Sequence, residues 1–168
     1  MLHWLLDYIH RHEPKGETLV LLKSGLGAIV GMTLVGAMAS ITGLPMLLAP
    51  FGATAVLLFG QAQSPLAQPA NIFGGYFVAV LLTFLLFSVL PHAWWVATLT
   101  CGLSVAVMLL LRVTHPPAGA IPLVALGSTL PLLELMGCVL AGSICLVLVG
   151  VIHHRLVPPR IAYPRRRA

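Results

Sequence analysis

Thr114-His115-Pro116-Pro117-Ala118-Gly119-Ala120 is the densest polar and proline-rich cluster within a long apolar block, and Arg112 stands just before it. A second passage, Pro50-Phe51-Gly52-Ala53-Thr54, shares its skeleton of proline, any residue, glycine and alanine. Neither set suits catalysis. Arg112 and Glu134 are the only charged residues between Ser24 and Ile152, so acid–base work has no carboxylate pair and no nucleophile has a base beside it. Both sets suit the holding of a small anion. The first N–H groups of a helix lack intrahelical partners and carry partial positive charge, so a helix N-terminus accepts an anion without a full charge. Proline fits a first turn, where a missing N–H costs nothing, and Gly52 and Gly119 let a ligand approach the backbone closely. The expected site draws Pro50, Gly52, Ala53 and Thr54 from one passage and Pro116, Pro117, Gly119 and Ala120 from the other. Arg112 and His115 would add positive potential at its rim.

Plainer roles compete. His115 can cap or bond a neighbouring carbonyl, and Thr54 can bond its own helix. Arg112 can reach the headgroups or pair with Glu134. Gln61, Gln63, Gln68 and Asn71 read as a polar loop, either solvated or lining a vestibule. His10-x-His12 and His153-His154 lack the carboxylate or thiolate that would complete a metal set. Cys101, Cys138 and Cys145 fall in apolar spans at no metal spacing, and their odd number gives no disulfide framework. Neither a metal nor a cofactor is expected, and the chain is not read as an enzyme.

The elements that must position these residues follow from a repeat. Pro50–Gly60 recurs as Pro117–Gly127, 67 residues later, and at the same offset Gly75 falls on Gly142 and Val80 on Val147. We read two copies of one membrane unit, each built round an interrupted, glycine-rich short segment, a pattern that points to a transport site. Pro122 replaces Ala55 of the first copy and breaks hydrogen bonding in the second short helix unless that helix starts late or kinks. The two half-sites are therefore unequal.

Composition puts the chain in a membrane. Of its 168 residues 59% are hydrophobic and 8% charged, with a mean hydropathy of +1.02; soluble domains carry about 25% charged residues. From Ser24 to Leu111 there is no Asp, Glu, Lys or Arg. Ser24–Gly43, Ile72–Leu90, Ala93–Val113 and Pro131–Ile152 are each long enough to span. Pro91-His92 turns the second span into the third, and Trp94 and Trp95 mark the interface. The fold class expected is all-α, four transmembrane helices plus two short re-entrant half-helices in a tandem repeat, with both short segments on the outer side. The rival makes each short segment a tilted crossing, giving six spans and inverted repeats.

Net charge is +5, carried mainly by Arg11, Lys15 and Lys23 before the apolar block and Arg155, Arg160, Arg165, Arg166 and Arg167 after it. The positive-inside rule puts both termini in the cytoplasm, as in a plasma or inner membrane, and both topologies satisfy it. The divisions expected are an interfacial amphipathic N-terminus over 1–17, membrane repeats over 18–90 and 91–152, and a basic tail over 153–168. Residues 1–17 lack a basic leader and a small-residue cleavage site, so they are not read as a signal peptide. Gly27-x-x-x-Gly31, Gly36-x-x-x-Ser40 and Gly137-x-x-x-Ala141 are packing motifs.

His115-Pro116-Pro117, preceded by Ala49-Pro50-Phe51-Gly52-Ala53-Thr54 and separated from it by spans of the right size, resembles the HPP family of integral membrane proteins over roughly residues 20–155. The resemblance implies four spans and, from photosynthetic members, nitrite transport. Some members continue into nucleotide-sensing CBS domains, which this sequence does not contain. The expected partners are the lipid bilayer, a small inorganic anion such as nitrite, and further copies in a homo-oligomer. Nucleic acid is not expected, since basic juxtamembrane flanks explain the arginines. The absence of a mid-membrane acid favours passive or potential-driven movement. The alternative function is a scaffold or sensor subunit acting through its cytoplasmic termini.

Overall fold

Unbroken apolar runs become long helices in this chain, and prolines mark where helices begin. The computed structural model describes residues 7–165. Helix α1 spans Thr18–Thr42 and is followed by α2, Ala49–Ala55, which widens into a π-helical turn at Val56–Gly60. A 3₁₀ turn at Pro65–Ala67 leads to α3, Pro69–Val89, then α4, Trp94–Leu110. A second 3₁₀ turn, Pro116–Ala120, runs into α5, Ile121–Gly127, before α6, Leu132–Leu156. Pro122 lies in the first turn of α5, the late start that its missing N–H requires.

Helices α1, α3 and α6 are long and apolar enough to cross a membrane. The fourth expected span, Ala93–Val113, is shorter than its hydropathy suggests: α4 has 17 residues, about 26 Å of helix. Its end is set by the backbone. Arg112 N–H bonds the Leu109 carbonyl and Val113 N–H the Met108 carbonyl, a Schellman closure with Arg112 at φ 58° where glycine is usual.

Packing fixes the direction of each segment. A Cβ on Gly27 would lie 2.8 Å from His153 Nε2 and one on Gly31 3.1 Å from Leu146, so α1 and α6 are antiparallel and the ends of both nearest the chain termini lie together. We call this the terminal end. Phe51 packs on Gly142 and Leu58 on Gly150, so α2 runs alongside α6 towards the terminal end. Asn71 and Gly75, early in α3, meet Thr114 and His115. Hence α3 leaves the terminal end, α4 returns to it, and residues 116–131 climb away again to the start of α6.

The six apolar segments therefore alternate in direction. This corrects the expectation of re-entrant segments that enter and return on one side: the first short segment continues to the terminal end and the second leaves it. The two like passages, Pro50–Gly60 and Pro117–Gly127, run in opposite senses. Hydropathy carries no sign of direction, so the apolar pattern alone could not separate the two topologies. Arg112, following α4, stands at the terminal end with the other described Lys and Arg residues, whereas Glu134 in the first turn of α6 is at the distal end. The pairing expected of Arg112 and Glu134 is not formed.

The core is one cluster that includes Phe51, Leu58, Phe59, Ile72, Tyr76 and Leu146. Gly27 and Gly31 are packing positions as expected, whereas Gly137 faces open space. Large apolar side chains such as Leu22, Leu26 and Ile29 of α1 and Leu109 and Leu110 of α4 point outward, which a hydrocarbon solvent explains. Of the expected interfacial N-terminus, residues 1–6 lie outside the described residues, 7–9 are helical and 10–16 irregular and exposed. The basic tail is not a free arm. Lys23 Nζ donates to the Pro159 carbonyl at 2.5 Å, Gln63 to the Ala162 carbonyl at 2.9 Å, and Tyr163 Oη to the Ala67 carbonyl at 2.9 Å. Burial raises the Tyr163 phenol above its ordinary value, so it remains a donor. Arg166 and Arg167 lie outside the described residues.

Candidate functional site

The short helix α2 has two faces. Phe51, Thr54, Ala55 and Leu58 are buried, while Gly52, Ala53 and Val56 are exposed. Thr54, fully buried, has its one hydroxyl proton within reach of two acceptors, the Pro50 carbonyl of its own helix at 3.1 Å and His115 Nε2 at 2.9 Å, and lies 2.7 Å from Tyr76 Oη. His115 Nδ1 is 2.9 Å from the Leu66 carbonyl. A carbonyl only accepts, so Nδ1 carries the proton and Nε2 accepts from Thr54; Tyr76 donates to Thr54 in turn. The result is a buried polar chain, Tyr76 to Thr54 to His115 to Leu66, linking α2, α3 and the segment before α5. Its ends are held by aromatic edges: Tyr76 stands 5.2 Å from His115 and 5.8 Å from Phe51, ring centre to ring centre.

Glycines bring His115 to this place. A Cβ on Gly75 would meet His115 Cβ at 2.6 Å, and one on Gly74 would meet Val113 Cβ at 2.7 Å, so residues 113–115 rest directly on the α3 backbone. Asn71 Nδ2 donates to the Thr114 carbonyl at 3.0 Å and fixes the same stretch. Both plain readings thus apply: His115 bonds a carbonyl, and Thr54 bonds its own helix.

On the opposite side of the paired short segments is a groove of about 780 Å³, lined almost wholly by apolar atoms. Pro50, Ala53, Pro116, Pro117 and Ala120 of the expected site line it, with Val56 and Leu123 among their neighbours. A Cβ on Gly52 would meet nothing within 4 Å, and one on Gly119 only Val105 at 3.9 Å. Arg112 is exposed and belongs to neither the chain nor the groove.

The second N-terminus has few donors. Pro116 and Pro117 have no N–H, and Ala118 N–H bonds the His115 carbonyl at 3.0 Å. In the first, Phe51 N–H is occupied by the Leu48 carbonyl at 2.9 Å. The two passages are unequal, and here the inequality lies in the paired prolines as much as in Pro122. Sequence reasoning missed Tyr76, Leu66 and Gly75. A lone tyrosine after two glycines in mid-span was the available signal for the first; a main-chain carbonyl gives none. Among the described residues no group of three or more His, Cys, Asp or Glu could hold a metal ion.

An all-helical bundle with outward apolar faces and polar groups gathered inside defines a multi-pass integral membrane protein. The chain belongs to the HPP transmembrane family: the family described as HPP, transmembrane region, matches residues 13–164, from before α1 to within the packed tail. It is similar to two transmembrane proteins of Dictyostelium discoideum. One is 32% identical over 83 residues, covering 47% of this chain and 29% of that protein. The other is 34% identical over 86 residues, covering 49% and 28%. The matched part is thus under a third of either relative. No solved structure matches.

Proposed function

We propose that this protein moves a small monovalent anion across the membrane, with nitrite the first candidate because photosynthetic members of the family are associated with it. One observation carries the reading: two proline-led short helices of opposite sense meet inside the bundle beside the buried Tyr76–Thr54–His115 chain. Broken helices meeting at mid-depth are the architecture of transporter sites, and polar groups buried in a membrane bundle are costly enough to mark function. The two halves then form an inverted repeat of six crossings, with both termini cytoplasmic under the positive-inside rule. The anion lies near the start of α2, with the Thr54 hydroxyl and the His115 imidazole as its side-chain neighbours. The open apolar groove faces lipid or a second copy in a homo-oligomer.

Uptake of nitrite, nitrate, formate and chloride into proteoliposomes tests the reading. Gly52→Val and Gly119→Val should abolish flux with near-normal folded protein, because a Cβ on Gly52 meets nothing within 4 Å and one on Gly119 meets only Val105, at ordinary contact distance. No flux of any of these anions with the correctly folded protein would remove the transport reading. Topology has its own test. Cysteines at Gln63 and Ser128 should label from opposite faces, since Gln63 contacts the tail and Ser128 follows α5 at the distal end. Labelling of both from one face would restore the re-entrant arrangement.

The second reading, a scaffold or sensor acting through its termini, is favoured by the ordered tail, whose surface is part of the fold. Deleting Arg160–Ala168 would not separate the readings, because it also removes the buried Tyr163. Substituting the exposed Arg160 and Arg165 is the cleaner probe: a transporter keeps its flux, and a scaffold loses its partner.

A further inference from the structure

Three basic side chains are buried together at the terminal end. Lys23 is 5% exposed, His153 6% and His154 1%. His154 Nε2 donates to the Leu58 carbonyl at 2.8 Å, so its Nδ1 holds a bare lone pair. That Nδ1 and His153 Nε2 have no hydrogen-bond partner. The two rings stand 5.4 Å apart; Phe59 covers His153 edge-on at 5.4 Å, and Tyr163 covers His154 at 5.4 Å. A buried polar atom left unpaired costs about 1–3 kcal/mol, and here two neighbouring residues each carry one.

Among the described residues the surroundings supply no negative charge. From α1 comes Lys23, from the π-helical turn only Leu58 and Phe59, from the last turn of α6 Arg155, and from the tail Tyr163. The loop after the π-turn offers the uncharged Gln63 and Gln68. Asp7, Glu13, Glu17 and Glu134 are exposed, and Glu13 reaches no further than Gln61.

We propose that Lys23, His153 and His154 form a site that takes up one small monovalent anion together with one proton. As drawn, the cluster holds one lysine amine without a counter-charge and two ring nitrogens without partners. A proton from hydronium forms an N–H bond at one of these nitrogens, leaving water behind, and turns an orphan acceptor into a donor. The added positive charge beside Lys23 calls for an anion, because no described side chain there provides one. Lys23 Nζ, held by the Pro159 carbonyl alone, has two further donors for it. By linkage, anion binding raises proton affinity by the same factor that protonation raises anion affinity. The inference rests on the transport reading only for the class of ligand; as a binding site it stands or falls by itself.

The test uses the full chain in lipid nanodiscs, with sodium nitrite and sodium chloride as probes between pH 5 and 8. Binding and proton uptake in weak buffer are measured together. We expect about one proton taken up per anion bound, and affinity falling up to tenfold per pH unit once the free site has lost its proton. His154→Gln keeps an amide donor for Leu58, so it should fold while weakening acid-side binding at least tenfold. His153→Gln should behave alike, and Lys23→Gln should abolish binding. Binding without proton uptake, no binding of either anion, or wild-type pH dependence in both glutamine variants would overturn the site. Nitrite flux that keeps its wild-type pH dependence in the double glutamine variant also overturns it and leaves the transport reading intact. Proton-linked binding without flux supports the site and removes that reading.

Discussion

His115 and His154 are equally hidden, and each gives one ring N–H to a main-chain carbonyl far away in sequence, Leu66 at 2.9 Å and Leu58 at 2.8 Å. They differ in the second nitrogen. In His115 it accepts from Thr54; in His154 it has no hydrogen-bond partner. An imidazole with both nitrogens engaged is a strut between segments, because moving it breaks two bonds at once. One with a free lone pair keeps a capacity that the folded chain leaves unused. The first kind of histidine sets geometry, and the second responds to what arrives.

The sharpest way to break this comparison is to remove the seat of the strut. Gly75→Val places a side chain against His115 Cβ at 2.6 Å and the Val113 carbonyl at 3.2 Å. Overpacking of this kind costs about 1–3 kcal/mol or more, and displacement of His115 adds its lost bonds. We expect little monodisperse protein after extraction, measured by size-exclusion chromatography. A normal yield would show that residues 113–115 have another place to rest. A smaller effect separates the two histidines themselves. His115→Ala leaves the Leu66 carbonyl bare and Thr54 one partner short, whereas His154→Ala exposes the Leu58 carbonyl but also removes an orphan nitrogen. Each unpaired buried group costs about 1–3 kcal/mol, so thermal unfolding should show His115→Ala the more destabilised by roughly 1–2 kcal/mol. Equal losses would mean that His154 is also a completed strut.

The long helices were legible because length and apolarity fix them, and the short segments because Pro50 stands in the first turn of α2 and Pro117 in the 3₁₀ turn that runs into α5. Of the expected residues, Pro50, Ala53, Pro116, Pro117 and Ala120 were legible as one set, which lines the groove. Side-chain partners were not, since Tyr76 and the Leu66 carbonyl become relevant only once α3 lies against α2. Direction was hidden for an electrostatic reason. The four-span and six-segment arrangements both bring the chain ends together, and only Arg112 changes side between them; read as a ligand, it was not used as a topological marker. The packing of the tail was not legible, because its arginines drew attention from Tyr163, which is buried.

The opposed course of the two halves bears on how the chain is inserted during synthesis. Between Ser24 and Leu111 no Lys, Arg, Asp or Glu is present, so the first three segments offer the insertion machinery no internal instruction about which way to face. Orientation is then settled by flanking basic residues, and for the second half the nearest of these is Arg112, at the bend where α4 gives way to the climb into α5. One arginine at the end of α4 would thus act as a signpost for the two segments that emerge after it. Transferred to the turn at Pro91-His92, the same charge would pull that turn towards the cytoplasm and set the two halves at odds before any of their contacts could form.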